Sequence, residues 1–571
     1  MYLPTKNLNE KIWMLFSTTG AFFLLIIFRL FYLQIHLSET LREQGKKNFT
    51  RIHDVSCLRG NITDINGKLL ATNRPVINIY WQGNQGDIEK TKQIFSKIYQ
   101  IIGREDIETL DFIRKIEKYS QKYLIATDIT IKQLSQIVEI ADSKNLIVEN
   151  SFQRFYPFKS VASHILGYLG QIDLETMGKM GLEKLFEEDL KGSKGKNQLM
   201  INSTGKKIQQ FELEQPVNGK AIKTTLDINI QKILEQAVPT EYSSAAILME
   251  SKSGAIRAIV SRPSFDPSIF LKPVNYDEWF KLQQKKLFIN RAFNAAYPPA
   301  SIFKLITMIA ALEEGIVGEE TVWNCKGHIT FGKRKFHCNK LDGHGLVDLK
   351  QAIIYSCNVP LFEIGKKLKV DTIAKYAQMF GLGQKTGILF AEQAGLVPTT
   401  KWKMETKGER WWPGETLSVV IGQSFLLTTP IQIAVMLSAL FEENLIKPKI
   451  IENAETVKTP INLSKKTLEI IKDSMKLTVT EGTAKRLNKL ENFDIYAKTG
   501  TAQTGALGKR TLGDQFLEHV WFVGQIKHEK LPDYSLVILL ENVGAARVVT
   551  NTAKRFLIDF EKHIERHDSH K

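Results

Sequence analysis

The chain has 571 residues, 43% of them hydrophobic and 24% charged, with a formal net charge of +16. That length and balance support a large buried core and two or three folded units, and they exclude a disordered chain. The positive charge suits an anionic neighbourhood such as lipid headgroups or cell-wall polymer. No Lys/Arg block is interleaved with aromatics and no nucleic-acid motif is present, which argues against nucleic-acid binding.

From Ile12 to Phe28 the chain carries no charge and is rich in Phe, Leu and Ile. Extended through Arg29 to Ile35, at about 1.5 Å of rise per residue, this run (12–35) predicts a membrane-spanning helix. Lys6 and Lys11 precede it and no small-residue cleavage site follows, so it reads as an uncleaved signal anchor with residues 1–11 as a cytoplasmic tail. The rest of the chain is expected outside the cytoplasm. Residues 36–222 alternate short strands with polar, Lys-rich helices, as in Val76 to Trp81 and Asp87 to Tyr99, and predict an elongated α+β module of modest core.

A second unit is expected over residues 223–571. It opens with a helix from Ile228 to Ala237 and a β-hairpin, Ala245 to Glu250 and Ala255 to Val260, turning at Lys252-Ser253-Gly254. Apolar helices follow at Phe303 to Leu312, Leu349 to Tyr355 and Ile431 to Leu440. Strands at Ile495 to Ala497, Val520 to Gln525 and Tyr534 to Leu540, and a terminal helix from Asn551, complete it. Strands from both ends of the unit enclosing helices imply an α/β sheet that closes late.

Three short motifs carry chemistry. Acyl transfer by a serine needs a local base, and in Ser301-Ile302-Phe303-Lys304 a lysine lies one helical turn beyond a serine, on the same face. Pro298 and Pro299 place Ser301 at a helix N-terminus, where backbone N–H groups favour developing negative charge. Burial on the apolar helix would lower the pKa of Lys304 and let it act as a base. Ser193 to Lys196 and Ser203 to Lys206 match the same pattern but lie in Gly/Lys-rich loops. The second motif is Ser356-Cys357-Asn358, whose hydroxyl and amide suit a proton relay and a grip on a substrate amide; Ser143-Lys144-Asn145 also matches but precedes the nucleophile. The third is Lys498-Thr499-Gly500-Thr501, following a strand from Phe493 to Ala497, where lysine and threonine can grip a carboxylate and glycine admits a substrate backbone. Lys385-Thr386-Gly387 repeats the pattern at a glycine-punctuated helix end and is expected to be a turn.

In this order the three elements resemble the penicillin-recognising serine transferases. Arg59-Gly60-Asn61-Ile62-Thr63-Asp64-Ile65-Asn66-Gly67, Arg154-Phe155-Tyr156-Pro157, Gly181-Leu182-Glu183 and Leu190-Lys191-Gly192 narrow the likeness to the class B penicillin-binding proteins. Arg410-Trp411-Trp412-Pro413-Gly414, Ile421-Gly422-Gln423-Ser424 and Trp521-Phe522-Val523-Gly524 continue it. Within class B the chain looks more similar to the elongation type, penicillin-binding protein 2, than to the division enzyme. It departs from the pattern at Ala300, where the family usually has glycine, and at Ser424-Phe425.

The resemblance implies a β-lactamase-like α/β transpeptidase domain on a pedestal (dimerisation-type) module with one transmembrane helix. It implies a peptidoglycan D,D-transpeptidase of cell-wall elongation and cell shape, acylated on Ser301 by D-alanyl-D-alanine stem peptides or by β-lactams. The oxyanion would be held by the N–H groups of Ser301 and Thr501. Lys304 would be the base and Ser356 the relay, and carboxypeptidation could be a side activity. Expected partners are a SEDS-family glycosyltransferase and other elongation-complex proteins, at the bacterial inner membrane with the catalytic domain on the periplasmic side. A β-lactam hydrolase would need a further base for deacylating water, and no motif supplies one.

The four cysteines, Cys57, Cys325, Cys338 and Cys357, are unusual outside the cytoplasm. Cys325, Cys338, His344 and Cys357 could close a structural zinc site, and some elongation-type class B proteins carry zinc at a matching place, with the histidine in a Gly-His-Gly turn. A Cys325–Cys338 disulfide and free buried thiols are the alternatives, and His328 or His337 could replace His344.

Overall fold

The computed structural model describes residues 6–104, 108–119, 121–140, 145–172, 175–201, 207–272, 274–504 and 513–568. The decoys Ser203 to Lys206 and, in part, Ser143-Lys144-Asn145 lie outside these residues. Packing divides the chain into two compact units, residues 1–59 with 191–219, and residues 60–190 with 220–571.

The smaller unit begins with the helix Lys6–Phe31, which runs on into one π-helical turn, Tyr32–His36. Its side chains are exposed from Leu8 through Phe31, as expected of a surface meant for lipid. Among the described residues, Leu8–His36 is the single helix long and apolar enough to cross a membrane. It starts before Ile12, where Lys6, Leu8, Glu10 and Lys11 are good helix formers. A helix, Ser38–Phe49, and an antiparallel sheet of Thr50–Val55, Gly195–Ile201 and Lys207–Glu214 complete this unit. Cys57 lies here, its Sγ 3.2 Å from the Lys191 carbonyl oxygen.

In the larger unit, Leu69–Gln82 pairs antiparallel with Leu146–Phe155 over most of its length and with Lys122–Ala126 at its end. The helices Ile88–Ile102 and Leu110–Lys118 bury Phe95, Ile98, Tyr99, Ile113 and Ile116 against Ile79 and Trp81. Asp87 caps the first of these helices by accepting from Glu89 N–H, so the helix begins just after the residue expected to start it.

The signature segments near the start of this unit are fasteners. Asp64 accepts from Asn66 N–H (2.9 Å) and Lys68 N–H (2.8 Å), closing a turn, while its other oxygen accepts from Ile228 N–H (3.1 Å) at the start of the helix Ile228–Ala237. Arg154 and Glu183 form a fully buried ion pair (Nε···Oε1 2.7 Å), joined by the Tyr156 hydroxyl at 3.2 Å and by the Gly60 carbonyl oxygen, 2.7 Å from the arginine. The strand Ile222–Lys223 runs parallel to Ile62–Thr63. Packing joins residues 60–190 and 220–571 in one compact unit across the expected 222/223 boundary.

The main sheet has five antiparallel strands in the order Ile256–Arg262, Ser244–Glu250, Leu531–Leu540, His519–His528, Asp494–Ala502. Two come from residues 244–262 and three from residues 494–540. The helices Ile228–Ala237 and Ala546–Asp568 pack on the face carrying Ala246, Leu248, Ile495, Ala497 and Phe522. The apolar helix Pro430–Glu442 packs on the other face, where Ile247, Val523 and Leu539 point. Asp494–Ala502 is an edge strand, and its free side borders the 3₁₀ turn Ala300–Ile302.

Candidate active site

Two hydrogen bonds between Tyr297 and Thr428 (both 2.8 Å) clamp the approach to Ser301, and the Trp521 indole donates to the Pro298 carbonyl oxygen at 3.0 Å. After Pro299 the chain takes a 3₁₀ turn, Ala300–Ile302, then the helix Lys304–Glu313, so Ser301 sits half-buried at a helix N-terminus. Ala300 holds φ +50°, a left-handed value that costs an alanine about 1–2 kcal/mol and a glycine almost nothing. The strain is held in place from outside: Ala300 N–H donates to the Gly422 carbonyl oxygen at 2.9 Å. Gly422 itself has φ +77°, and a Cβ there would lie 2.1 Å from the Ala300 oxygen. The Ile421-Gly422-Gln423 segment is the cradle of the nucleophile turn.

Lys304 is fully buried. Its ammonium meets three acceptors, the Ser356 carbonyl oxygen (2.7 Å), Ser356 Oγ (3.1 Å) and Asn358 Oδ1 (2.6 Å), which use all of its hydrogens. Burial lowers its pKa to about 8, against a smaller upward pull from Cys338 and Cys357. Ser356 takes φ +54° just past the helix Leu349–Ile354, which turns its hydroxyl and carbonyl towards the lysine. Asn358 is held in turn, donating to the His337 carbonyl oxygen at 3.0 Å.

Lys498-Thr499-Gly500-Thr501 lies inside the edge strand, not after it, because pairing with His519–His528 continues to Ala502. Lys498 is fully buried, donates to the Thr499 carbonyl oxygen at 3.1 Å, and has its pKa pushed well below the ordinary lysine value, first by burial and then by the Lys304 charge. The Thr499 hydroxyl bonds Thr483 Oγ1 at 2.7 Å. A Cβ on Gly500 would come within 3.2 Å of the Pro299 carbonyl oxygen and 3.3 Å of Ile302, so glycine lets the strand lie against the nucleophile turn. Thr501 is exposed on the strand edge.

The competing motifs fall elsewhere. Lys385 is exposed in a turn whose Thr386 and Gly387 bond the Glu392 carboxylate. Lys196 pairs with Glu214 in the smaller unit. Gly422 and Trp521, named above only within signature segments, and Thr483, not named there, also support the site.

All four cysteines are unbonded. Cys325 ends the strand Val322–Cys325, Cys338 follows the hairpin His328–Phe331 and Arg334–His337, His344 precedes the strand Gly345–Asp348, and Cys357 lies in the Ser356 turn. His344 Nδ1 is 3.6 Å from Cys325 Sγ and 3.5 Å from Cys338 Sγ, and Cys338 Sγ is 3.7 Å from Cys357 Sγ, with all four donor atoms within 4.8 Å of one another. Donors about 2.0–2.3 Å from a tetrahedral zinc stand roughly 3.5–3.8 Å apart, so this set fits zinc, and Cys325 and Cys338, the pair considered for a disulfide, carry free thiols. The Cys338 thiol is pushed down to about 4 chiefly by its contact with Cys357, whose own thiol is pushed up by the same contact. His328 and His337 face each other across the hairpin outside this cluster.

The comparisons agree with this geometry. Residues 244–557, more than half of the chain, match the penicillin-binding protein transpeptidase domain, and residues 54–224 match the penicillin-binding protein dimerisation domain. The peptidoglycan D,D-transpeptidase MrdA of Acinetobacter baumannii is 28% identical over 91% of this chain and 82% of its own length. A chain from a structure titled as the structural coordination of polymerization and crosslinking by a peptidoglycan synthase complex superposes with TM-score 0.73 at 27% identity, covering 97% of this chain and 98% of its own. The penicillin-binding protein PBP2 of Helicobacter pylori, solved in complex with MreC, superposes with TM-score 0.78 at 24% identity, covering 90% of this chain and 99% of its own.

Proposed function

The chain belongs to the penicillin-binding protein transpeptidase family, and on that footing we propose how its residues carry the reaction. It is a class B, PBP2-type peptidoglycan D,D-transpeptidase of the serine type. Ser301 attacks the carbonyl of the penultimate D-alanine of a donor stem peptide. Lys304 accepts the Ser301 proton; with a pKa of about 8, roughly a tenth of it is neutral at pH 7. Ser356, already bonded to Lys304, passes a proton to the departing D-alanine nitrogen as the C–N bond breaks. The acyl-enzyme ester is then attacked by an amine of a second stem peptide, whose proton returns by the same route, and Ser301 is regenerated.

Two backbone donors are assigned to the oxyanion, Ser301 N–H at the helix N-terminus and Thr501 N–H on the free strand edge, each worth a few kcal/mol in the transition state. An extended donor peptide adds to the edge strand Asp494–Ala502, with Gly500 admitting its backbone. The donor carboxylate rests near Thr499 and Thr501 above the Lys498 charge. Cys325, Cys338, His344 and Cys357 would hold zinc; four protein ligands leave it no open position, so its contribution would be to hold the Ser356-Cys357-Asn358 turn. The complex of the Helicobacter pylori protein with MreC and the peptidoglycan synthase complex support elongation-scaffold and polymerising partners; the SEDS-family type of the polymerase, and contact through the anchor and residues 36–222, rest on the family resemblance alone. Lys6 and Lys11 ahead of the span favour a catalytic unit on the periplasmic side.

One observation carries the mechanism: a fully buried lysine, a turn beyond a serine, bonded to both polar side chains of the Ser356 turn. A fluorescent penicillin should label the full-length protein covalently, the adduct should map to the peptide containing Ser301, and Ser301→Ala should abolish it. An adduct on any other peptide would overturn the assignment, and rapid release of the label would favour a hydrolase.

A further inference from the structure

Thr499 is 5% exposed, and its hydroxyl lies 2.7 Å from that of Thr483, which is open to solvent. Thr483 belongs to neither the edge strand nor the nucleophile helix. It sits in the turn after the helix Lys465–Thr480, where Glu481 N–H bonds the Leu477 carbonyl oxygen (2.8 Å) and both Gly482 and Ala484 N–H groups bond the Thr478 carbonyl oxygen (3.2 and 3.1 Å). On one side of Thr483, a Cβ on Gly482 would lie 2.5 Å from the Ile354 carbonyl oxygen, so the turn presses against the last residue of the helix leading into Ser356. On the other side Ala484 is fully buried in the core beneath the sheet. The Thr483 backbone is thus held between the end of the helix Leu349–Ile354 and the core beneath the sheet, and has little room to drift.

We propose that Thr483 is a positioning residue for the donor-carboxylate subsite, holding the Thr499 hydroxyl in the orientation that donates to the substrate carboxylate. The inference rests on the transpeptidase reading above and extends it. A hydroxyl has one hydrogen and two lone pairs, whereas a carboxylate only accepts. In the structure the Thr499 hydroxyl donates to Thr483 Oγ1, so to spend its hydrogen on the substrate it must turn away, and Thr483 is the side chain in place to hold its oxygen by donating back. When the carboxylate arrives, the Thr483 hydroxyl rotates to donate to Thr499 Oγ1, and Thr499 donates onward; each bond in such a chain polarises the next. Because Lys498 is buried and bonded to the Thr499 carbonyl oxygen, hydroxyls supply the direct contacts to the carboxylate.

The test uses the full-length protein in detergent and two probes, a fluorescent penicillin with a free carboxylate and the same penicillin as its methyl ester. Thr483→Val, which keeps the shape and removes the hydroxyl, should slow acylation by the carboxylate probe about tenfold while changing the ester rate less than about twofold. Thr483→Ser should restore the carboxylate rate to within about twofold of the unsubstituted protein. An equal loss with both probes, no loss with either, or no rescue by serine overturns the proposal. If the valine variant does not melt cooperatively, Thr483→Ala is measured with the same probes and decides in the same way. Failure of the unsubstituted protein to take label on Ser301 would instead sink the transpeptidase reading itself.

Discussion

Gly422→Ala isolates the cradle behind the nucleophile without touching a reacting group. The added methyl would lie 2.1 Å from the Ala300 carbonyl oxygen and 2.7 Å from both its carbon and its nitrogen. Carbon–oxygen contacts settle beyond about 3.3 Å, so Ala300, and with it Ser301, must move by roughly 1 Å. The φ of +77° adds about 1–2 kcal/mol of strain for an alanine, and the bond from Ala300 N–H to the Gly422 carbonyl oxygen, worth about 1 kcal/mol, is stretched or lost. The expected loss of stability is about 2–3 kcal/mol, within what a domain of this size survives. The expected loss of rate is larger, on the order of a hundredfold, since a displacement of about 1 Å at the reacting atom costs that much. The assay is stopped-flow acylation by a fluorescent penicillin at several concentrations, with a parallel thermal melt. A variant that melts within about 1 °C of the unsubstituted protein and acylates within about threefold would refute the claim that Gly422 holds the serine in place.

Further outcomes follow from the buried ionisable groups and the cysteine cluster. Because burial lowers the Lys304 pKa to about 8, its neutral form grows as pH rises, so the second-order acylation rate should climb about tenfold per pH unit below 8 and level off above it; a flat profile from about pH 6 to 9 would exclude it as the base. His164, buried with Nε2 2.7 Å from the Leu287 carbonyl oxygen, has its pKa lowered from 6.5 to about 4 by loss of hydration. Above 6.5 neither the folded nor the unfolded state is protonated there; between 6.5 and 4 only the unfolded state takes up the proton, so about 3 kcal/mol of stability should be lost in that window and no more below it. Urea unfolding from pH 7 to 4 should show that slope, and His164→Gln should flatten it. Purified protein should carry about one equivalent of zinc by elemental analysis, and Cys338→Ser should remove most of it and lower the melting temperature. Less than about a tenth of an equivalent in the unsubstituted protein would reject the site.

The chemistry was legible because it depends on residue types at short spacing. A serine and a lysine one turn apart on an apolar helix cannot avoid sharing a face, and Ile228–Ala237, with polar and apolar residues at helical spacing, forms over the expected residues. Strand ends were less legible. Asp494–Ala502 runs past Ala497 because its register with His519–His528 holds through Gly500, a matter of the partner strand. Burial was hidden for the same reason: Lys498, expected to grip a carboxylate, is fully buried. The cysteine set could be named because few side chains bind zinc, whereas its closeness depends on a hairpin and a Gly-His-Gly turn that bring distant positions together. Gly343 there has φ +82°, and a Cβ on it would lie 2.1 Å from the Cys325 carbonyl oxygen.

The fasteners around Asp64 and Arg154 bear on how this protein can be divided. Removing everything before residue 223 would take away the Asp64 carboxylate that accepts from Ile228 N–H, leaving Asp227 alone to cap that helix. A break between 154 and 183 that separated the two halves would strand a buried guanidinium or carboxylate, a cost of about 3–5 kcal/mol. The catalytic half is thus not a portable module that evolution or a protein engineer could transplant alone; it is expected to aggregate on expression unless residues from about Gly60 onward travel with it.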